Sequence, residues 1–528
     1  MTRDGWGSRD GGLGGVVLLG LVLPALPALQ THQSTEAART ALFLGCLGIL
    51  GLGLVGYVRG IPYGFRRGSI VPLLVASTGA LYGAVILWNF LFLRANSTGV
   101  HEGDVFRLAY RTFRSPIYGV AEIPSATDFL WIGLPLLGFG AAFVWATLRR
   151  DFSIRRWALL ICAFQLVMIG SFALTQSSER LTGLERDYES FALPEDLERF
   201  DTLPDVFAEW NDYMSVLHLR NRHYPPGNLF MMKLEQTLEW DGFFRWVVIL
   251  ATLATTLLMV PLARSLELSL RGQRLAMLLL ATSTGPLVFP TSFTAPLTMF
   301  FSAGACVCLL AALRAGSGGR YATTAGVLLA VCALFSFVVM TIGLLLAALM
   351  IVGIITKRHS LVRSIRVGGQ TVGVMIVVLF LVWLVLGFNI VECLSIARSN
   401  AQELMGASSF DDPTRYLLRS TGNVLAYITY TGAILTSLAV ASLRKITPAP
   451  LRMAAFATFA ALLFSGFSGQ FWLETERIWI FFTPMLAVLA AGTLSDRCDP
   501  EDRATESAVL GNNVLTASGQ ELWHLHYV

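Results

Sequence analysis

The sequence predicts an all-helical, polytopic membrane protein with about 13–14 transmembrane helices and one large outer loop that carries interfacial helices. The 528 residues are 54% hydrophobic and only 14% charged, whereas a soluble domain has about 25% charged residues. A hydrocarbon core about 30 Å thick requires roughly 20 apolar residues in a helix, and runs of that length recur along the chain. The net charge of +4 is small and spread over short loops, which argues against nucleic acid as a partner.

Apolar runs bounded by charged or polar residues are the candidate spans. They lie near 12–29, 41–58, 70–93, 129–148, 157–175, 243–263, 275–290, 294–313, 322–335, 337–356, 369–389, 424–442, 452–468 and 477–495. Prolines interrupt the stretch 275–313, and the stretch 321–356 is too long for one crossing. Each of these two stretches is therefore predicted to form two helices joined by a tight return.

Basic residues collect in one set of short loops, which the positive-inside rule places in the cytoplasm. These loops contain Arg59, Arg66, Arg67, Arg149, Arg150, Arg155, Arg156, Arg264, Arg271, Arg274, Arg314, Arg320, Lys357, Arg358, Arg363, Arg366, Arg444, Lys445 and Arg452. The long loops 94–128, 176–242 and 390–423 belong to the opposite set and hold fewer basic residues. They are predicted to face outward.

The outer loop 176–242 concentrates the polar residues that could handle a substrate. An acidic segment, Glu185 to Ser190, opens it. The next stretch is rich in acids and aromatic residues and is predicted to form short helices on the membrane surface. Its members are Asp196, Glu198, Phe200, Asp201, Asp205, Phe207, Trp210 and Tyr213.

The loop ends in the sequence His223-Tyr224-Pro225-Pro226-Gly227. Two consecutive prolines fix φ and disfavour helix, and the glycine gives the chain conformational freedom after them. The sequence therefore predicts a rigid turn that holds His223 and Tyr224 at the edge of the bilayer.

An acidic cluster after a span, then interfacial helices, then a Tyr-Pro-Pro-Gly turn before the next span resembles the GT-C superfamily of integral-membrane glycosyltransferases. This superfamily includes protein mannosyltransferases and aminoarabinose and arabinofuranosyl transferases. The resemblance implies transfer of a sugar from a polyprenyl phosphate at the outer leaflet, and a catalytic Asp or Glu in the first large outer loop. In this chain the resemblance points to Asp187 or Glu189 as that acid. Tyr188 stands between these two acids, whereas many members have adjacent acids.

A second segment, 469–479, is similar to a late outer loop of related chains and contains Glu474 and Arg477. The resemblance implies that Arg477 meets the lipid-linked phosphate, because a guanidinium offers forked donors to phosphate oxygens. Glu474, His223 and Tyr224 are the other predicted substrate-binding residues. Asp104 in the earlier outer loop is a rival for the catalytic acid.

No cofactor is predicted beyond the polyprenyl-phosphate sugar itself, and transfer is expected to be inverting and independent of metal. His218 and His223 lie five residues apart without a nearby Cys or a suitably spaced carboxylate, which does not suit a zinc site. A divalent ion on the phosphate stays an open alternative. Five cysteines lie in apolar runs, so no disulfide framework is implied.

The resemblance covers about residues 157–495 and divides the chain into three parts. Residues 1–156 form an N-terminal transmembrane extension, 157–495 the GT-C-like core with outer loop 176–242, and 496–528 a polar cytoplasmic tail. The expected location is a bacterial inner (plasma) membrane, crossed many times, with the site facing outward. The expected partners are the lipid bilayer, a lipid-linked sugar donor, and a glycan, protein or lipid acceptor.

The main alternative is a multi-pass transporter or flippase of a lipid-linked or amphipathic solute, in which the broken spans would line a path. A non-catalytic assembly protein is a third possibility. A transporter should place ionisable residues near the bilayer midplane, whereas a transferase needs a carboxylate and a phosphate-binding arginine at the outer face. The predicted spans contain almost no ionisable residues, which favours the enzyme.

Overall fold

The structure is a computed structural model that describes part of the chain. The described residues are 130–139, 142, 153–176, 194–218, 221–291, 294–314, 318–405, 413–443, 448–468 and 479–497. Within these ranges the chain is helical and contains no strand, in agreement with the predicted all-helical class.

The described helices are numbered here in chain order. They are α1 (Leu130–Phe139), α2 (Ile154–Gln176), α3 (Pro194–Glu198), α4 (Asp205–Ala208), α5 (Trp210–Tyr213), α6 (Gly227–Leu238), α7 (Phe243–Ser265), α8 (Leu270–Ala281), α9 (Thr284–Val288), α10 (Ala295–Arg314), α11 (Gly319–Phe335), α12 (Val339–Ile355), α13 (Leu361–Leu386), α14 (Ile390–Met405), α15 (Pro413–Thr431), α16 (Ala433–Ala441), α17 (Ala449–Phe467) and α18 (Thr483–Arg497). Short 3-10 turns occur at Asn221–His223, Phe289–Thr291 and Trp479–Phe482.

Five of the described helices, α2, α7, α10, α13 and α17, are long and apolar enough to cross a membrane. They coincide with five of the predicted spans. Helices α1, α11, α12 and the segment Trp479–Ser495 are apolar but shorter. The predicted spans near 12–29, 41–58 and 70–93 lie outside the described residues, so the total of 13–14 spans stays a prediction.

Both predicted breaks are confirmed. Helix α8 ends at Ala281 and α10 begins at Ala295, with α9 and a 3-10 turn between them. The side chains of Thr282 and Ser283 donate to the carbonyls of Leu278 (2.8 Å) and Leu279 (2.6 Å). The Leu279 carbonyl has no helical partner at the end of α8, so Ser283 supplies its donor. The Leu278 carbonyl accepts both the backbone N–H and the hydroxyl of Thr282.

The second break separates α11 from α12 at residues 336–338. The two helices do not pack as a close hairpin: α11 lies between α10 and α13, whereas α12 packs mainly on α17. The tight return therefore directs two short helices to different neighbours.

Three of the basic loops meet on one face of the helical bundle. One carboxylate oxygen of Glu267, after α7, pairs with Arg314 at 3.1 Å and with Arg358 at 3.4 Å. Arg314 ends α10, and Arg358 follows α12. This face, called the basic face below, agrees with the predicted grouping of the basic loops.

The opposite face carries a layer built from two loops that are far apart in sequence. It consists of residues 194–242 and 387–405 and is called the loop layer below. It has its own hydrophobic cluster of Phe200, Val206, Phe207, Trp210, Met214, Leu217, Leu229, Phe388, Cys393 and Ala397. Two predicted outer loops therefore fold together on the face opposite the basic loops.

The aromatic residues of the loop layer were expected in helices on the membrane surface. Short helices do form there, namely α3, α4 and α5, but the rings pack inside the layer. Phe200 stacks on Trp210 with ring centroids 6.1 Å apart, and Phe207 meets Phe388 edge to face at 5.9 Å. The second loop supplies Phe388, so these side chains bury against protein.

The loop layer joins the bundle where Gly227 begins α6. A β-carbon built on Gly227 would overlap the carbonyl oxygen of Leu334 and lie 2.9 Å from the carbonyl carbon, at the end of α11. The φ angle of Gly227 is not positive. The glycine of the predicted Pro-Pro-Gly turn is thus required for close packing between backbones, and not for the conformational freedom that was expected of it.

We expect Gly227→Ala to destabilise the protein by about 1–3 kcal/mol, the usual cost of forcing extra atoms into a packed interior. Thermal unfolding of the protein purified in detergent measures this change. Gly343→Ala on α12 is the matched control, because a β-carbon there meets no atom within 4 Å. Equal melting temperatures for the two variants would contradict the close contact at Leu334.

Candidate functional site

The polar residues of the loop layer are organised around the buried carboxylate of Asp196, which is 3% exposed. This carboxylate accepts the backbone N–H of His218 at 2.9 and 3.1 Å and the side-chain amide of Asn221 at 2.7 Å. Asn221 is itself buried. These bonds close the segment between α3 and the turn at 221–223, and they compensate the cost of burying the charge.

Helix α14 also holds this turn. The side-chain amide of Asn400 donates to the carbonyl of Arg222 at 3.0 Å, and the guanidinium of Arg222 donates to the carbonyl of Leu217. The turn at 221–223 is therefore fixed both by its own loop and by the second loop of the layer.

His223 lies in this turn with its imidazole half-buried. The ring donates a hydrogen bond to the backbone carbonyl of Ala397 on α14. Its Nε2 atom is buried and has no hydrogen-bond partner among the residues that the structure describes. The donor is therefore Nδ1, which leaves the Nε2 lone pair to accept a hydrogen bond.

Burial lowers the pKa of His223 from its ordinary value of 6.5, because it disfavours the charged imidazolium, and the nearby charge of Arg222 acts in the same direction. The hydrogen bond to Ala397 opposes this change. At neutral pH the ring is consequently neutral, with a fixed tautomer. Such a group can accept a hydrogen bond from a substrate hydroxyl.

Tyr224, the other predicted substrate-binding residue of the turn, contacts a different part of the protein from His223. Tyr224 is partly buried against the hydrophobic core of the bundle, whereas His223 contacts α14 in the loop layer. The backbone N–H of Tyr224 donates to the carbonyl of Asn221 at 3.3 Å. Tyr224 therefore lies where the turn meets the bundle.

A buried acid that the sequence reasoning did not single out, Glu235, lies at the end of α6. Its carboxylate accepts the backbone N–H groups of Gly242 at 2.8 Å and Phe244 at 2.9 Å, at the start of α7. Burial raises the pKa of Glu235, and these two bonds oppose the change. The side chain of Arg245 is buried nearby and interacts with it electrostatically. An acid shortly before a span is the only sequence signal for this contact.

The four remaining predicted site residues lie outside the described residues. Asp187 and Glu189 belong to the segment 177–193, and Glu474 and Arg477 to 469–478. Their roles stay predictions, as does that of Asp104. No group of three or more His, Cys, Asp or Glu side chains placed to hold a metal ion occurs within the described ranges.

Comparison of the chain with protein-family models, with curated proteins and with solved structures finds no match. The described part of the chain is all-helical, and five of its helices are apolar and long enough to cross a membrane. These helices are compatible with an integral membrane protein.

We expect Asp196→Ala to loosen the turn that carries His223. The substitution leaves the His218 amide and the Asn221 side chain buried without an acceptor, which costs about 1–3 kcal/mol. Hydrogen exchange at the His218 amide should accelerate by about tenfold or more. The neighbouring Glu195 is exposed, so Glu195→Ala serves as control and should leave that exchange unchanged. Unchanged protection of the His218 amide in Asp196→Ala would contradict the role of Asp196 in holding the turn.

We expect the His223 side chain to make stability depend on pH. Because its pKa is lowered on folding, its stabilising contribution is complete above pH 6.5 and declines as pH falls toward the folded-state value. Between pH 7 and pH 5 the wild-type protein should therefore lose more stability than His223→Gln. Melting temperatures across this range test the difference, since all other titrating groups are common to both proteins. Parallel pH profiles would contradict a lowered pKa.

Proposed function

We propose that this chain is a multi-pass membrane glycosyltransferase that moves a sugar from a polyprenyl-phosphate donor to a glycan, protein or lipid acceptor. The observation that carries the proposal is the neutral His223, fixed by two loops in one packed layer, with a buried Nε2 atom that has no hydrogen-bond partner among the described residues. We place the layer outside a bacterial plasma membrane, because the basic loops meet on the opposite face.

In this proposal Asp187 or Glu189 is the general base. The carboxylate takes the proton of the acceptor hydroxyl while the hydroxyl oxygen attacks the anomeric carbon. The bond between that carbon and the phosphate oxygen breaks, and polyprenyl phosphate leaves from the opposite side with inversion. Arg477 neutralises the charge on the leaving phosphate.

His223 has a separate role, because its neutral imidazole accepts a hydrogen bond. We assign Nε2 to a hydroxyl of the sugar or the acceptor, which it orients before transfer. Because Nε2 is buried, this role requires that the layer open to admit that hydroxyl. Glu474 and Tyr224 retain their proposed roles in substrate binding. For Tyr224 this role requires that substrate reach the junction between the turn and the bundle.

The distribution of charge in the long apolar helices supports a transferase over a transporter. In α2, α7, α10, α13 and α17, every Lys and Arg lies within the first or last two turns, and none of the five contains an acid. These described helices therefore offer no acidic, basic or histidine side chain near a bilayer midplane, where a transporter would use one.

The test measures sugar transfer in membranes that contain the chain, with a panel of labelled polyprenyl-phosphate sugars. We expect one donor to support transfer and Asp187→Asn or Glu189→Gln to reduce it by about 100-fold or more, since a general base contributes about 10²–10⁴-fold. His223→Gln should reduce transfer by about tenfold, the effect of one hydrogen bond.

The matched control is His359→Gln, because His359 lies on the basic face among Arg314, Arg358 and Arg363. This variant should transfer sugar at the wild-type rate. Absence of transfer from every donor would refute the proposed activity. Full activity in both acid variants would refute the assignment of the base.

A further inference from the structure

An apolar groove runs between α2 and α7 on the exterior of the bundle. Its volume is about 610 Å³, and Leu166, Val167 and Gly170 line it from α2, with Trp246 and Ile249 from α7. Leu166, Val167 and Trp246 are each about 40% exposed, so the groove opens to the side of the bundle. In a membrane this side faces lipid.

One end of the groove carries a negative charge. Asp241 is the only charged lining residue, and Glu239 is exposed two residues before it. Asp241 forms no ion pair with any residue that the structure describes. The nearby Arg245 is buried close to Glu235 and is not part of the lining.

The charged end lies at the level of the loop layer. Asp241 precedes the first residue of α7 by two positions, and Trp240 and Trp246 are both about half exposed at the same end. Partly exposed tryptophans near a helix end are typical of the interface between headgroups and hydrocarbon. From Asp241 the groove therefore extends from the headgroup region along apolar residues toward the bilayer interior.

We propose that this groove binds one acyl chain of a phospholipid whose headgroup bears an ammonium, with that ammonium on Asp241. The apolar lining accepts the chain, and the carboxylate at its mouth selects a cation. An anionic lipid, or the polyprenyl phosphate of the proposed donor, would bring a net negative headgroup, with no cation to offset its phosphate, against Asp241 and Glu239. The groove is thus a lipid site distinct from that of the donor, and its assignment rests on membrane integration but not on sugar transfer.

The test compares two photoactivatable lipids in vesicles that contain the chain. Phosphatidylethanolamine and phosphatidylglycerol, each with a diazirine in the acyl chain, are crosslinked and the labelled peptides are mapped. We expect phosphatidylethanolamine to label the peptides with residues 166–170 and 246–249 at least about threefold more strongly, an electrostatic preference of ordinary size at an exposed site. Asp241→Asn should remove that preference, whereas Asp212→Asn, at an exposed acid of α5, should keep it.

A second variant tests the groove itself. Gly170 lines the groove, and a β-carbon on it meets no atom within 4 Å, so Gly170→Leu adds an apolar side chain there and should reduce labelling of these peptides by both lipids. Gly369→Leu on α13 is the control, because Gly369 also has open space beside it.

Two outcomes would overturn the lipid site. Equal labelling by the two lipids in the wild type refutes the ammonium selection, and undiminished labelling in Gly170→Leu refutes the location. A chain that alkaline carbonate extracts from the vesicles would instead refute membrane integration, so the two failures are distinguishable.

Discussion

The contact between the backbone of Gly227 and the carbonyl of Leu334 sets the position of the loop layer on the bundle. Because no side chain separates the two backbones, α6 and the end of α11 are held at a nearly fixed distance. The turn with His223 directly precedes this contact, so the imidazole takes its position from the bundle as well as from its loop. Polar groups then refine that position, since Asp196 and Asn400 each form a hydrogen bond with the turn.

This arrangement explains why two loops form one layer. A single loop of acids and aromatic residues could not bury Phe200, Phe207 and Trp210 alone, and Phe388 completes their cluster. The apolar cluster gives the layer stability, and the hydrogen bonds of Asp196 give it a specific geometry. The neutral state of His223 follows from the same packing, because the layer that buries the ring also lowers its pKa.

The sequence predicted features that depend on local chemistry. Prolines and excess length predicted the breaks near 282–294 and 336–338, and the Pro-Pro-Gly pattern predicted a turn at His223. Features that depend on long-range contacts were not accessible. In the sequence, Asp196 does not differ from the other acids of the polar loop, and only the fold brings the His218 amide to it. The pattern of aromatic residues likewise does not show that they pack against α14. The acids at 187 and 189 and the pair at 474 and 477 stay predictions from the resemblance.

In a bilayer, the length of helix α13 would have a further consequence. The helix spans 26 residues, and Arg363 and Arg366 occupy its first two turns. The apolar remainder from Val367 to Leu386 is about 30 Å long at 1.5 Å per residue, equal to a typical hydrocarbon core. A thinner bilayer would force this helix to tilt. Because Gly387 packs on Ala208 directly beyond its end, such a tilt would shift α14 and with it the carbonyl that orients His223. Membrane thickness would then act on the loop layer through a single helix.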